Sequence, residues 1–425
     1  MSRRLRGIVL RPVHSRRLRR LASLAAVSAL LVACGGTATP TSTTSTPFVA
    51  STTTPPAPPT TGVVAAPDVT GTLIVWADSA IADAVRSRAA LFTADTGIEV
   101  VVDPMAEADI LNALLEGGDV SPDVFIGPHT WLYRLAVAGI TEPVELADGL
   151  PAGVVEAVSL RTFPLGVPVA VDALAQIRNP SLVASRPTSA ESIDCSGCFV
   201  LPADGDLDVT YPFIATLGAY VFGPDPATGY AADDTTVDSD EAIAAAAVLE
   251  AMVASGVIDP ASDRANALAR FEAGAAGIIW AGPEAIGLVA GESVEALPTL
   301  GDSPGVSPVR VVTAYVNARG TLKPEAGRFA EQYLGDQDGS RAFADALGMA
   351  PVWAAAATDD ELVFIEAAIT GDPVPYAVET EAAWAEVSAA FARILLGTAA
   401  ETALLDAGDA IRFGHYGAED GDPAG

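Results

Sequence analysis

From Gly71 onward the chain alternates short, unbroken apolar runs with segments whose apolar residues recur every three or four positions. "GTLIVWAD" (Gly71 to Asp78) has the length and continuity of a buried strand. In the segment after it, Ile81, Val85, Ala89 and Phe92 fall on one helical face that Gly97 ends. "IEVVVD" predicts a second strand, "EADILNALLEGG" a helix closed by a glycine pair, "PDVFIGP" a third strand and "TWLYRLAVAG" a helix after it. Strand and helix in alternation, with short links, predict an α/β fold on a mainly parallel, doubly wound sheet. The same style returns later without the same sequence. "CFVLPA", "GAAGIIWAG" and "VRVVTAYVNA" predict strands, and "DEAIAAAAVLEAMVASG", "KPEAGRFAEQYLG" and "TEAAWAEVSAAFARILLG" predict helices. The first of these helices is marked at its start by Asp238-Ser239 and acids in its first turn.

The N-terminal pattern is different in kind. Leu21 to Ala33 is apolar and uncharged but shorter than the roughly 20 residues needed to span a bilayer. Eight arginines and no acid precede it, which is the layout of an export signal over residues 1–33. Leu31-Val32-Ala33-Cys34 resembles a bacterial lipobox, so Cys34 is expected to be lipidated and to anchor the chain to the outer face of the cell membrane. Residues 34–70 are dominated by Thr, Pro, Ser and small side chains that cannot bury a core, and they read as a tether. Beyond Arg412 the sequence decays into Gly, Asp and Pro, and 413–425 reads as a flexible tail.

Charge narrows the function. Once the signal and its eight arginines are removed, 15 basic and 54 acidic residues remain, a formal charge of −39. Such a surface repels nucleic acid, whose binding needs Lys and Arg to neutralise phosphates. It also disfavours anionic ligands outside a local basic pocket and suits neutral or cationic ones. Cys195 and Cys198, in "IDCSGCFVLP", are most simply a disulfide across a Ser-Gly turn in an exported protein. A redox pair would need a helix after the motif, and "FVLP" follows instead.

Several chemistries can be weighed on motif grammar. Gly301-Asp302-Ser303-Pro304-Gly305 matches G-x-S-x-G, but Pro304 opposes the helix that a nucleophile elbow requires, and the exported chain retains only His129 and His415 as possible bases. Asp204-Gly-Asp206-Leu-Asp208 opens like a calcium loop, yet Val209 and Ala215 occupy the positions that need glycine and a bidentate acid. Neither a phosphate loop nor a zinc motif is present in the sequence, so no metal and no cofactor are expected. A carboxylate pair for glycoside hydrolysis stays open, with no pair singled out.

Six stretches, in order, resemble bacterial extracellular solute-binding proteins of the maltose/maltodextrin-binding type (family 1), which feed ABC importers. They are "GTLIVWAD…FTADTGIEVVVD", "SPDVFIGPHTWLYRLAVAGITEPV", "GVPVAVDALAQIRNPSLV", "YPFIATLGAYVFG", "ARFEAGAAGIIWAGPEAI" and "GDPVPYAVETEAAW". The resemblance implies two α/β lobes with a ligand cleft at a hinge: 71–172 with 314–356, and 173–313 with 357–412. It implies a non-enzymatic, monomeric receptor whose partners are a small neutral solute, such as an oligosaccharide, and the ABC permease subunits. Carried over residue by residue, it places Trp384 and Tyr211 as aromatics that stack on a sugar. It places Asp172 as an acceptor of sugar hydroxyls, Trp131 at a loop-to-helix start of the cleft, and Asp78 facing the cleft after the first strand. Glu284 and Ile286 replace expected aromatics, Thr130 an expected Asp, and Asp208 falls near a usual Tyr. The floor for a long maltodextrin is therefore thinned, and Glu284 becomes either a candidate ligand acid or a solvated charge at a helix start. Another sugar, a polyol or an amino sugar remains an alternative ligand. Beside the receptor stand a secreted glycosidase using two acids and a sensor with the same fold.

Overall fold

The computed structural model describes residues 71–118 and 121–414. The signal segment, Cys34, the tether and the tail from 415 lie outside the described residues. The strands in chain order are β1 (Thr72–Ala77), β2 (Glu99–Pro104), β3 (Val124–Pro128), β4 (Ser159–Leu160), β5 (Phe163–Pro164), β6 (Val167–Asp172), β7 (Ala175–Arg178) and β8 (Phe199–Pro202). They continue as β9 (Gly223–Asp225), β10 (Gly229–Ala231), β11 (Ile258–Ala261), β12 (Ile278–Ala281), β13 (Ser293–Glu295), β14 (Pro308–Val316) and β15 (Asp372–Pro373).

Two main sheets divide these strands. The first runs β15-β14-β3-β1-β2, with β6 also paired to β14; the second runs β11-β8-β12-β7-β13. The alternation of apolar runs and helices does give parallel pairs at β1–β2, β1–β3, β8–β11 and β8–β12. The expectation of a mainly parallel sheet is corrected at β3–β14, β6–β14, β7–β12 and β7–β13, which are antiparallel. Periodicity reports burial and not direction, and three of these four pairs contain β6 or β7, between which the chain leaves one sheet for the other.

Local signals explain the elements. In helix Ala82–Thr96 the expected face of Ile81, Val85, Ala89 and Phe92 is buried, and Gly97 at φ 76° closes it in the left-handed conformation that glycine accepts readily. The alanine-rich helix Asp240–Ser255 starts where Ser239 accepts the amide of Ala242. Cys195 and Cys198 are disulfide-bonded just ahead of β8. Helix Asp359–Thr370 opens with a capping box in which Thr358 and Glu361 exchange bonds.

The result is a two-lobe α/β fold, one lobe around each sheet. The second lobe's core gathers β8 and β12 with helices Asp240–Ser255, Thr380–Leu395 and Ala400–Phe413. A further apolar cluster bridges the lobes, joining Val171 of β6, Ile177 of β7, Val309 and Val311 of β14, and Phe364. Strand β14 lies wholly in the first sheet, so that sheet takes in residues 308–313 as well as those from 314 onward.

Candidate functional site

Three chain crossings run side by side between the lobes. One is the step from β6 to β7, another the approach to β14 from β13, and the third the passage from β15 into helix Thr380–Leu395. Ser307 ties them together. Its Oγ accepts the Leu174 amide at 2.7 Å and donates to the Pro308 carbonyl at 2.6 Å, while its carbonyl accepts the Asp372 amide at 2.9 Å. His129 adds a fourth tie from the end of β3. Its Nδ1 accepts the Val311 amide at 3.1 Å, which leaves Nε2–H to donate to the Val374 carbonyl at 2.8 Å. Burial pushes this imidazole down to about 4, so it is neutral and keeps both bonds.

At this junction polar side chains from both lobes converge. Arg310 points from mid-strand β14 and grips Asp208 with two bonds of 2.9 Å each. Asp208 also accepts the indole N–H of Trp384 at 3.0 Å. Tyr211 stacks on Trp384, with ring centroids 5.6 Å apart and 18° between planes, and the Arg310 guanidinium carbon lies 5.8 Å from the Trp384 ring centroid. The Tyr211 hydroxyl reaches Asp372 at 3.4 Å.

A second pairing sits beside the first. Arg264 donates to Glu284 from Nε at 3.0 Å and from Nη2 at 2.6 Å, and lies 3.9 Å from Asp172 and 4.0 Å from Asp206. Burial opposes the Arg264 charge, but Glu284, then Asp172 and Asp206, outweigh it and its pKa is raised. Asp206 also caps the short helix Leu207–Thr210. Gly282 makes the crowding possible: a Cβ there would clash with both Asp172 Oδ1 and Glu284 Oε2. Asp172 Oδ1 is buried with no hydrogen-bond partner. Burial first, and the Glu284 charge second, push the Asp172 carboxyl up to about 7 against the pull of Arg264. A small opening is lined here by Asp172, Ala173, Leu174, Asp208, Arg264, Pro308 and Arg310.

Four of the six expected ligand residues thus meet at the lobe junction: Asp172, Tyr211, Glu284 and Trp384. Asp78 follows β1 and accepts the Ala80 amide at 2.8 Å. Its charge, with that of Glu381, helps burial raise the Glu107 carboxyl, and Arg310 works the other way, so Asp78 borders the same cluster. Trp131 lies apart. It is 6% exposed in the first lobe's apolar cluster with Trp76, Phe125 and Tyr315, its ring seated where Gly127 has no Cβ. Trp384, at 7% exposure, and Tyr211, at 4%, are almost wholly buried and stand behind the residues that line the opening.

Arg264 and Arg310 are absent from the sequence reading. A signal existed for Arg310, which interrupts the apolar run "PVRVVTAYV" in a chain otherwise poor in bases. The Asp204–Asp208 segment forms a helix cap and an ion pair, and no group of acids and histidines able to hold a metal occurs among the described residues. Gly301–Gly305 forms a turn in which Leu300 and Ser303 bond each other. That leaves no strand-to-helix elbow for Ser303.

Two lobes, three bonded crossings and a polar opening at the junction form a receptor's architecture, since clefts between domains favour ligands and hinge closure lets both lobes grip one. The model of the family described as bacterial extracellular solute-binding protein matches residues 87–369 of the 425. The chain belongs to that family.

Proposed function

We propose that this protein captures a carbohydrate at the lobe junction and delivers it to an ABC importer. The family makes it an extracytoplasmic receptor for a small solute with permease partners; the sugar class and the lipid anchor at Cys34 are our reading. The observation that carries the sugar class is the grouping of Asp172, Asp208, Arg264 and Arg310 around one opening, with Glu284 bonded to Arg264 and Trp384 bonded to Asp208 behind them. Carboxylates accept from hydroxyls and guanidinium groups donate to them. Glu284 and Ile286 stand where the resemblance expects aromatics, and that thinned floor favours a smaller sugar over a long maltodextrin.

A contact to both lobes would favour the closed form that a transporter recognises. The role is binding without turnover. The test is a thermal-shift panel on the purified protein with mono- and disaccharides, maltotriose, polyols and amino acids. A sugar present at 100 times its Kd should add about 2.7 kcal/mol of stability. A shift from a polyol or amino acid alone would refute the sugar class and leave the receptor role intact.

A further inference from the structure

We propose that the solute carries a primary amine, held between Asp172 and Glu284, so that the ligand is an amine-bearing sugar in place of an uncharged one. The proposal rests on the carbohydrate reading above and narrows it. Both guanidinium groups at the opening are engaged: Arg310 gives two nitrogens to Asp208, and Arg264 gives two to Glu284. Asp172 Oδ1 has no hydrogen-bond partner, and its Oδ2 meets Arg264 only at 3.9 Å.

Carboxylates outnumber bases around this point. Asp206 and Asp208 join Asp172 and Glu284, with Glu107 and Glu381 bordering Arg310 and Asp78 beside Glu107. Gly282 keeps the space between Asp172 Oδ1 and Glu284 Oε2 free of a side chain of its own. An ammonium suits that space better than a hydroxyl. It brings three donors where a hydroxyl brings one, and its charge offsets carboxylates that the two arginines leave uncompensated. The acidic surface of the whole chain, with 54 acids in the sequence, draws cations toward the opening and repels anions.

The test is calorimetric titration of the full chain with glucosamine, galactosamine and 6-amino-6-deoxyglucose, each beside its N-acetyl form, and with glucose, maltose and trehalose. At least one amine should bind about tenfold or more tighter than its N-acetyl form, as a charge-assisted bond to a buried carboxylate implies. In Asp172→Asn that preference should collapse to within about twofold, because the asparagine keeps the shape without the charge. Equal or tighter binding of the acetylated or neutral sugars overturns the amine and leaves the carbohydrate reading standing. So does a preference that survives Asp172→Asn. If no sugar of either kind binds, both readings fall together.

Discussion

Asp172→Asn removes a charge and keeps a shape, and its effect on stability should change with pH in a defined way. Burial and the neighbouring Glu284 lift this carboxyl from its ordinary 3.8 to about 7, while Arg264 opposes them. The folded state therefore holds a proton that the unfolded chain has already released between these two values. Stability from this group is fully present below about 3.8 and is lost as pH rises through about 7. The groups facing Asp172 are Glu284, Arg264, Asp208 and Arg310. Moving the carboxyl from 3.8 to about 7 corresponds to about 4 kcal/mol. A quarter of the side chain is open to solvent, which places the expected effect at about 2–4 kcal/mol. Asparagine imitates the protonated carboxyl, so variant and parent should match at about pH 4 and the variant should be the more stable by that amount at about pH 8. With about 2.1 cal/mol/K of unfolding entropy per residue over roughly 340 residues, each kcal/mol moves Tm by about 1.4 °C, hence a gain of about 3–6 °C. Thermal unfolding followed by circular dichroism across this range measures it. A variant equally destabilised at both ends would show that Asp172 is ionised throughout and that its pairing with Arg264 outweighs burial, refuting the reasoning.

Other perturbations follow from the same geometry. His129 titrates near 4 against an ordinary 6.5, so its contribution is present above about 6.5 and lost as pH falls through about 4, worth about 3 kcal/mol. His129→Gln should flatten the acid limb of urea midpoints by that amount, and an unchanged limb would rule out a neutral, doubly bonded imidazole. Arg310→Ala and Asp208→Asn, combined in a double-mutant cycle, should couple by about 1–3 kcal/mol. Coupling below about 0.5 kcal/mol would mark the pair as a solvent-screened one. Gly282→Ala would force the Asp172 and Glu284 carboxylates apart while only side-chain tips must move. Affinity for the best sugar of the panel should drop about tenfold or more with the circular dichroism spectrum preserved, and intact affinity would place the ligand elsewhere.

Much of this protein could be read along the chain. Apolar runs set β1, β2, β3, β8, β12 and β14, a helical face buried Ile81, Val85, Ala89 and Phe92, and Gly97 and Ser239 marked helix ends. These outcomes depend on neighbours within a turn or two, so local pattern determines them. The capping box at Thr358 and Glu361 was equally local and was passed over, although "TDDE" before an apolar run carries it. Resemblance over six stretches located Asp172, Tyr211, Glu284 and Trp384, which the fold does gather at one place. What only the tertiary structure decided is how these residues are used. Arg310 finds Asp208 across 102 positions, and Arg264 finds Glu284 across 20. Trp131 turns back onto Gly127 and into the core, and Asp172 is left with an unpartnered oxygen beside Glu284. Such pairings depend on where three crossings bring two sheets together, and on the low dielectric there, and no periodicity along the sequence encodes either.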